Sequence, residues 1–377
     1  MNDEQLSVLM IPDYAEKNPY QAALVEALSE QGVSVDCRSS EGIAPILARY
    51  RELGRPDVVH LHWINVFYST DRSVIVALLG IRLLLELLVL KLLGTPVVWT
   101  VHNRLEHEPS FPAIQRRIRR GVAQLSDRII VHCPAARDIV RDEYGLSAET
   151  VRKVRVVSHG NYLGRYRNET GRGEAREELG ISTDGTVFLY FGLIRRYKNV
   201  PGLLSAFADL ADQDARLLVV GNPWSENLER GVETLAREDD RVHTELSFVP
   251  DESIQLYMNA ADAVVLPFES VLTSGSAVLG MSFGRALVVP DTGCVGQLVD
   301  DAGAITYDPS DEEALRSALT QALERHEQLP GMGEHNLAAV EEYDWDRIAD
   351  RTRRIYLSKC NGHSTGQFRA ASRDAGG

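Results

Sequence analysis

Short apolar runs alternate with amphipathic stretches along most of the chain. In the first half these runs have the length and composition of buried strands, and helical patterns separate them. They predict strands at Gln5–Ile11, Val33–Cys37, Val58–Trp63, Pro96–Val101, Arg128–His132 and Val154–Val157. Asn18 followed by Pro19 predicts the start of the first helix, because asparagine caps helices and proline favours their first turn. Strands that alternate with helices predict an α/β fold with a doubly wound parallel sheet.

The second half repeats this alternation. Its apolar runs predict strands at Val187–Tyr190, Leu217–Val220, Ser247–Val249, Ala263–Leu266 and Ala286–Val289. Between the halves, the charged and glycine-punctuated stretch 165–180 predicts a domain linker. We therefore expect two Rossmann-like domains, residues 1–165 and 166–342, whose strands end at a common cleft. A closing helix at 343–359 and a disordered tail at 360–377 complete the prediction.

The most apolar segment is Ser73–Leu93, which is long enough to span a bilayer. Arg82, Glu86 and Lys91 interrupt it and do not share one helical face, which argues against a transmembrane helix. Two interpretations remain. The segment is either a mostly buried helix of the first domain or a hydrophobic patch that dips into a membrane surface.

The segment Pro112–Leu125 is amphipathic, with an apolar face opposite a basic one. The basic face is predicted to hold four arginines, Arg116, Arg117, Arg119 and Arg120. Such a face either is simply solvated or contacts phospholipid headgroups or a lipid-linked phosphate.

Composition narrows the class of protein. With 377 residues, 44% apolar and 25% charged, the chain has the composition of a soluble globular protein of two domains. A net charge of −14 argues against a general nucleic-acid binder. No basic region followed by a long apolar core opens the sequence, so we expect a cytoplasmic protein. The four cysteines lack a Cys-x-x-Cys spacing, which argues against a zinc site.

Lysine is scarce, while arginine is common. The lysines are Lys17, Lys91, Lys153, Lys198 and Lys359. An acidic, lysine-poor chain suits a salt-rich cytoplasm, in which charge repulsion is screened. A genome rich in GC would also favour arginine codons, so a halophilic protein is one of two hypotheses.

A candidate anion site follows the run Ala263–Leu266. After a short loop, Ser274-Gly275-Ser276 opens a helix, with Ser274 as the predicted N-cap. The first N–H groups of a helix have no internal partner and carry partial positive charge, and small residues let a diphosphate approach them. The alternative is an ordinary strand–helix–strand unit.

Other candidate residues also follow strands. Arg195 and Lys198 lie three residues apart in the loop Gly192–Asn199, where they could clamp a diphosphate. His102 and His159 each come after a strand. His60 and His62 share one face of theirs, and without a carboxylate cluster nearby we predict a substrate or packing role and no metal site.

The span from Val8 to Tyr356 resembles a GT-B glycosyltransferase, of the nucleotide-sugar-dependent group that builds polysaccharides and lipid-linked glycans. The motifs that carry the resemblance are Asn18-Pro19-Tyr20, Val58–Trp63, Thr100-Val101-His102-Asn103, His159-Gly160-Asn161, Gly192–Asn199 and Leu272–Ala277 ahead of Ser282–Arg285.

The resemblance implies roles for individual residues. His102, Arg195 and Lys198 would be catalytic, with His102 facing the transferred sugar. The diphosphate of the sugar donor would be held by Arg195, Lys198, Thr273, Ser274, Gly275 and Ser276. Its nucleotide or sugar would contact Gly192, Gly221, Asn222 and Glu269. The acceptor side would comprise His60, His62, Trp63, Asn103, His107, His159 and Asn161.

One departure from the resemblance concerns the paired glutamates of the large retaining family. Those acids stand eight residues apart, and Val271 and Leu279 occupy the two places here, while Glu269 has no partner. Retention or inversion of the anomeric configuration is therefore left open. His102 either orients the donor sugar or, if the reaction inverts, acts as a general base.

The expected activity is a metal-independent hexosyl transfer. A nucleoside diphosphate sugar would be the co-substrate, without any further cofactor, and the acceptor would be a lipid-linked glycan or polysaccharide precursor at the cytoplasmic face of the membrane. Two alternatives are a nucleotide-sugar epimerase on the same twin-domain fold and a non-catalytic partner protein that resembles a glycosyltransferase.

Overall fold

The computed structural model describes residues 5–16, 18–38, 42–105 and 110–360. The predicted acceptor-side residue His107 and the tail beyond Cys360 lie outside these ranges. The chain divides into two compact units, Met1–Ser158 with Trp345–Gly377, and His159–Asp344. Each unit contains a six-stranded sheet with flanking helices. The prediction of two Rossmann-like domains is confirmed.

The sheet of the first unit contains the six strands that the sequence predicts. They are β1 Ser7–Ile11, β2 Ser34–Asp36, β3 Val58–Leu61, β4 Val97–Thr100, β5 Arg128–Val131 and β6 Val154–Val156. Their order is β2-β1-β3-β4-β5-β6, and every neighbouring pair is parallel. Strands β3 and β4 are buried throughout because helices cover both faces of a parallel sheet, which explains their continuous apolar runs.

Six helices connect these strands. They are α1 Pro19–Glu30, α2 Pro45–Glu52, α3 Ser73–Leu92, α4 Pro112–Leu125, α5 Pro134–Tyr144 and α6 Ala148–Val151, with a 3₁₀ turn at Ile64–Phe67. Helix α1 begins as predicted, because the side chain of Asn18 accepts a hydrogen bond from the Tyr20 amide at 3.0 Å and Pro19 occupies the first turn.

Helices α3 and α4 pack closely because glycine lies at both contact points. A side chain on Gly80 of α3 would overlap Ile118 of α4, and one on Gly121 of α4 would overlap Leu84 of α3. One face of α3 therefore packs inside the first unit, while its other face is apolar and exposed.

The sheet of the second unit has the order β12-β11-β10-β7-β8-β9, again with all neighbours parallel. Its strands are β7 Val187–Phe191, β8 Arg216–Val220, β9 Val242–Glu245, β10 Ala263–Val265, β11 Ala286–Pro290 and β12 Ala304–Tyr307. Its helices are α7 Arg172–Glu178, α8 Val200–Ala208, α9 Glu226–Ala236, α10 Ile254–Ala260, α11 Gly275–Ser282, α12 Val295–Leu298, α13 Ala314–Glu324 and α14 Leu329–Val340. Short 3₁₀ turns lie at Arg196–Lys198, Asp251–Ser253, His326–Gln328 and Glu341–Tyr343.

The predicted strand at Ser247–Val249 is wrong. The strand in this region is β9, at the edge of the sheet, and its side chains are partly exposed and mostly polar. Residues 247–249 instead lie in the loop beyond β9, where the Phe248 side chain is exposed. An edge strand needs less apolar sequence than a central one, and for that reason the pattern pointed to the wrong residues.

The charged stretch 165–180 belongs to the second unit. It contains helix α7, whose Arg176 is fully buried. The Arg176 guanidinium donates to the Asp262 carboxylate at 2.7 Å and to the Ala260 carbonyl at 2.9 Å. Here a charged composition marks a buried ion pair.

The last helix, α15 Trp345–Cys360, is part of the first unit. It packs against α1, and the Gln31 side chain donates to the Asp346 carbonyl at 2.7 Å. Its Tyr356 hydroxyl lies 2.7 Å from Nδ1 of His60. The first unit is therefore built from both ends of the chain.

Candidate active site

In the second unit, the loops that follow β7 and β8 run side by side. The Ile194 amide donates to the Asn222 carbonyl, and the Trp224 amide donates to the Ile194 carbonyl, both at 3.0 Å. Gly192 and Gly221 have φ values of 131° and 150°, and a side chain on Gly221 would overlap the Gly192 carbonyl. Both glycines are thus required by the backbone, independently of their predicted contact with the sugar donor.

Arg195 and Lys198 project from the first of these loops. The Arg195 guanidinium stacks on the indole of Trp224, with its central carbon 3.6 Å from the ring centroid. The Trp224 side chain is 63% exposed. Asn199, at a φ of 50°, accepts a hydrogen bond from the Gly202 amide at 3.2 Å and so caps α8. This turn fixes the direction of the loop that bears both cations.

Lys198 and the start of helix α11 come together beside Gly192. A Cβ on Gly192 would lie 2.9 Å from Ser276 Oγ and 3.4 Å from Lys198 Nζ. Ser274 is the N-cap, as predicted, because its Oγ accepts from the Ala277 amide at 3.2 Å. The amides of a helix N-terminus and a lysine therefore face the same small space, which is the arrangement that binds phosphate groups.

Among the described residues, no carboxylate balances the charge on Lys198. Removal of the ammonium from water, followed by repulsion from Arg195, lowers the pKa of Lys198 to about 8. Within the ranges that the structure describes, Lys198 forms no ion pair with a carboxylate. A bound anion would relieve both effects, so this pair of cations is suited to a diphosphate.

His159 and Asn161, predicted for the acceptor side, lie in the second unit. His159 Nδ1 donates to the Gly160 carbonyl at 2.8 Å, and burial lowers the pKa of His159 to about 4. Its Nε2 borders Gly275 at the start of α11. Asn161 donates from its side chain to the Val340 carbonyl at 3.0 Å. The structure thus places both residues in the unit predicted to bind the sugar donor.

The two positions where the retaining family carries glutamates are part of the core. Val271 and Leu279 are both buried in the hydrophobic cluster of the second unit. Glu269 is exposed, and its backbone amide donates to the Tyr197 carbonyl at 3.0 Å. The departure seen in the sequence is therefore also structural, because both positions hold buried side chains of a hydrophobic cluster.

In the first unit, three histidines follow three neighbouring strands. His62 comes after β3, His102 after β4 and His132 after β5, so parallel pairing brings them to one edge of the sheet. His62 Nδ1 lies 2.9 Å from His102 Nε2, and His102 Nδ1 lies 3.4 Å from His132 Nε2. His132 Nδ1 lies 2.9 Å from the Val157 carbonyl. The sequence interpretation missed His132, although the repeated pattern of a strand ending in histidine could have revealed it.

His60 packs beside this row without joining it. Its ring is fully buried, and its nitrogens bond Tyr356 at 2.7 Å and Thr100 Oγ1 at 2.8 Å. Burial lowers the pKa of His60 to about 3. Of the two predicted roles, substrate contact or packing, these contacts favour packing.

Aromatic rings enclose His102. Trp63 stacks on it with 4.2 Å between ring centroids and 13° between ring planes. Tyr20 meets His102 edge-on at 5.0 Å and His132 at 5.4 Å. Trp345 in turn packs against Tyr20, with 5.4 Å between the two ring centroids. Of these three aromatic residues, only Trp63 has a role predicted from the sequence.

The loop after His102 is anchored by helices α4 and α5. Arg119 Nη1 donates to the Asn103 carbonyl at 3.1 Å, and the Tyr144 hydroxyl donates to the Arg104 carbonyl at 2.6 Å. Glu143 accepts from both Arg104 and Arg116. Asn103, predicted for the acceptor side, is thus positioned through its backbone.

This anchoring corrects the predicted basic face of α4. Arg119 is only 4% exposed, and Arg120 donates to the Tyr144 carbonyl at 2.5 Å. Helix α4 packs against both α3 and α5, and Arg119 is the arginine that this packing buries. Arg116, Arg117 and Arg120 remain exposed, and Arg116 is paired with Glu143.

Among the residues that the structure describes, no three histidine, cysteine, aspartate or glutamate side chains converge as metal ligands would. The row of histidines is linked ring to ring by hydrogen bonds instead.

Both halves of the chain match known families. Residues 12–161 match the model described as Glycosyltransferase Family 4, and residues 185–325 match that of Glycosyl transferases group 1. A GDP-mannose:glycolipid 4-beta-D-mannosyltransferase from Xanthomonas campestris pv. campestris is 28% identical over 91% of this chain and 89% of its own.

Solved structures agree on the fold. Sucrose-phosphate synthase from Thermosynechococcus elongatus superposes with a TM-score of 0.76 at 17% identity, over 94% of this chain and 99% of its own. The Anabaena protein HepE, in complex with UDP, superposes with a TM-score of 0.70 at 15% identity, over 93% and 99%. Two Rossmann-like units, each matched by a glycosyltransferase family model, establish that this protein is a glycosyltransferase of the GT-B fold.

Proposed function

We propose that the protein transfers a hexose from a nucleoside diphosphate sugar to a lipid-linked glycan. The observation that carries the proposal is the Lys198 ammonium, which lies near the start of helix α11 and Arg195 and has no carboxylate partner among the described residues. The Anabaena neighbour binds UDP, and the Xanthomonas relative is named for GDP-mannose and a glycolipid. A GDP- or UDP-hexose is therefore the first sugar donor to test.

The two cations and the helix amides supply what the leaving diphosphate needs. Negative charge develops on the diphosphate as its bond to the sugar breaks, and fixed positive groups stabilise that charge more in the transition state than in the ground state. Arg195 and Lys198 provide two such groups in the second unit. We infer that the reaction needs no metal ion for this step.

A thermal-shift panel of UDP, GDP, ADP, dTDP and CMP, with and without magnesium, tests the sugar-donor site. A nucleotide at a hundred times its dissociation constant stabilises the folded state by about 2.7 kcal/mol. We expect one diphosphate to raise the melting temperature without magnesium. The shift should vanish in Arg195→Ala/Lys198→Ala and persist in Arg196→Ala, which removes the exposed arginine of the same turn. Equal loss in both variants would contradict the assignment.

The acceptor side leads us to propose contact with a membrane surface. By length and composition α3 is apolar enough to cross a membrane, but its inner face packs within the first unit. Its outer face exposes Val74, Leu78, Ile81, Leu85, Leu88 and Leu92. Lys91 of α3 and Arg117 of α4 are exposed as well, which suits an anionic lipid surface. Such a surface would bring the enzyme to a lipid-linked acceptor on the cytoplasmic side.

Vesicle flotation tests this contact. The wild type should float with vesicles of phosphatidylglycerol and phosphatidylethanolamine, because burial of several leucines in the headgroup region is favourable. Leu78→Glu/Leu85→Glu should stay at the bottom of the gradient. Leu337→Glu, an exposed leucine of the second unit, should float like the wild type. Flotation of the double variant at wild-type levels would remove α3 as the contact.

A further inference from the structure

The hydrogen bonds of the histidine row fix the tautomer of every ring in it. A carbonyl oxygen only accepts, so His132 Nδ1 must carry a proton for the Val157 carbonyl, and His132 Nε2 is left as an acceptor. His102 Nδ1–H then donates to His132, and His102 Nε2 accepts from His62 Nδ1–H. With neutral rings, all three imidazoles therefore donate in one direction, from His62 towards the Val157 carbonyl.

This row ends in a lone pair at Nε2 of His62. The His62 side chain is 1% exposed, and Nε2 has no hydrogen-bonding partner in the part of the chain that the structure describes. A buried polar atom left without a partner destabilises a protein, so such atoms are uncommon outside functional sites. The row thus ends in one buried nitrogen that can accept a proton.

The groups around His62 leave it neutral. The titratable side chains that face it are His60 on its own strand, His102 on the adjacent strand and Tyr20 of α1. Burial, and then the unfavourable interaction of a protonated His62 with His60, His102 and His132, hold the pKa of His62 far below its usual value. None of these neighbours is an acid, so orientation of the ring comes from the histidine row itself.

We propose that His62, His102 and His132 together are the general base that deprotonates the acceptor hydroxyl, in a single displacement that inverts the anomeric configuration. This inference rests on the proposed function. Two observations carry it, the single-direction row of imidazoles that ends at an unpartnered nitrogen and the apolar surroundings of Val271 and Leu279 in place of two acids.

The proton and electron balance of this step is complete. The acceptor hydroxyl gives its proton to His62 Nε2, directly or through one water, while His62 passes its Nδ1 proton to His102 Nε2. His102 becomes an imidazolium that still donates to His132, and its face lies on Trp63, where a cation is favourable. The oxygen bonds the anomeric carbon as the carbon–oxygen bond to the diphosphate breaks, and that electron pair leaves on the diphosphate.

The first test follows the anomer released from GDP-mannose or UDP-glucose, whichever nucleotide raises the melting temperature. Proton NMR under single-turnover conditions records the configuration of the new bond, in transfer to octyl β-D-glucoside and to water. The α-linked sugar donor should give a β product. An α product would overturn the inference and leave the proposed function intact.

The second test compares variants by the release of diphosphate from the same sugar donor. His62→Gln should lower kcat by at least about 100-fold, the smaller end of what a general base contributes, with KM for the sugar donor within about threefold. The acidic limb of the pH–kcat profile, which is the fall in kcat at low pH, should disappear in this variant. Thr100→Val removes a hydrogen bond to His60 in the same buried cluster, and it should keep that limb at the wild-type pH.

Two controls distinguish a catalytic role of the histidine row from a packing role. His132→Gln interrupts the row at its other end and should lower kcat by about tenfold, so it replaces His62→Gln if that variant does not fold. Both variants should retain the thermal shift with nucleotide, since the residues of that site lie in the second unit. Identical profiles for His62→Gln and Thr100→Val would reduce His62 to a packing residue. A wild type that binds no nucleotide would instead refute the proposed function.

Discussion

The two units build opposite chemistry on the same architecture. In the first, the edge where β3, β4 and β5 end carries imidazoles that hydrogen-bond one another under aromatic rings. In the second, the loop after β7 carries two cations next to a helix N-terminus. A parallel sheet therefore determines where a site forms, and the few residues after each strand determine whether it handles protons or phosphate charge.

The largest expected effect comes from a carboxylate in the apolar part of the second unit. Leu279→Glu should lower the free energy of unfolding by about 3 kcal/mol or more, because a buried carboxylate loses its hydration without gaining a partner. Leu279→Met should cost less than about 1.5 kcal/mol, since it conserves volume. Urea denaturation measures both. A Leu279→Glu variant as stable as the wild type would mean that this position accepts an acid, which would weaken the contrast between the two units.

A pH titration of nucleotide binding sharpens the contrast between neutral and charged sites. Lys198, with its pKa lowered to about 8, loses its charge as pH rises through that value, whereas a bound diphosphate favours the charged form. Affinity for the diphosphate should therefore fall about tenfold from pH 7 to pH 9, as expected for one linked proton. Calorimetry on Lys198→Arg should show an almost flat profile, because arginine stays charged. A wild-type profile as flat as that of the variant would contradict the assigned pKa shift.

A smaller effect is expected from Trp224, which holds the Arg195 guanidinium over its ring. Trp224→Ala should weaken nucleotide binding by about two- to fivefold, the range of an exposed cation–π contact, and Trp224→Phe should restore part of it. Quenching of Trp224 fluorescence on titration with the nucleotide gives the wild-type affinity, and a radiolabelled nucleotide gives those of the variants. Equal affinities for all three proteins would show that Arg195 is positioned without the indole.

The smallest expected effect is that of salt on the melting temperature, and it involves both units. If the acidic, lysine-poor composition is an adaptation to salt, molar potassium chloride should raise the melting temperature by several degrees through screening of the net charge of −14. An unchanged melting temperature would assign the scarcity of lysine to codon usage.

Much of the fold follows from apolar runs, because central parallel strands are buried on both faces and cannot contain many polar residues. All six strands of the first unit and the cap at Ser274 are predicted in this way. The pattern fails for strands that are buried on one face only and for polar side chains that are buried. It misplaces the edge strand β9, omits β12 and treats Arg119 as a surface residue.

The candidate site is predictable only as far as residues can be placed after strands. His62, His102, Arg195 and Lys198 are found in this way, but their partners come from distant parts of the chain. His132 enters the row through strand pairing, and Trp224 reaches Arg195 through backbone bonds between two loops. Tautomers, ring stacking and the pKa of Lys198 depend on those distances, which no local pattern encodes.

Helix α15 has a consequence for how the protein is made. Tyr356 of α15 contacts His60, and Trp345 of α15 contacts Tyr20. The first unit therefore lacks these packing contacts until α15 has left the ribosome. Residues 159–344, by contrast, form a continuous segment that emerges whole before that helix. The amino-terminal half therefore acquires these contacts only after α15 has been synthesised, and a fragment that stops at residue 158 would leave that side of its histidine cluster uncovered.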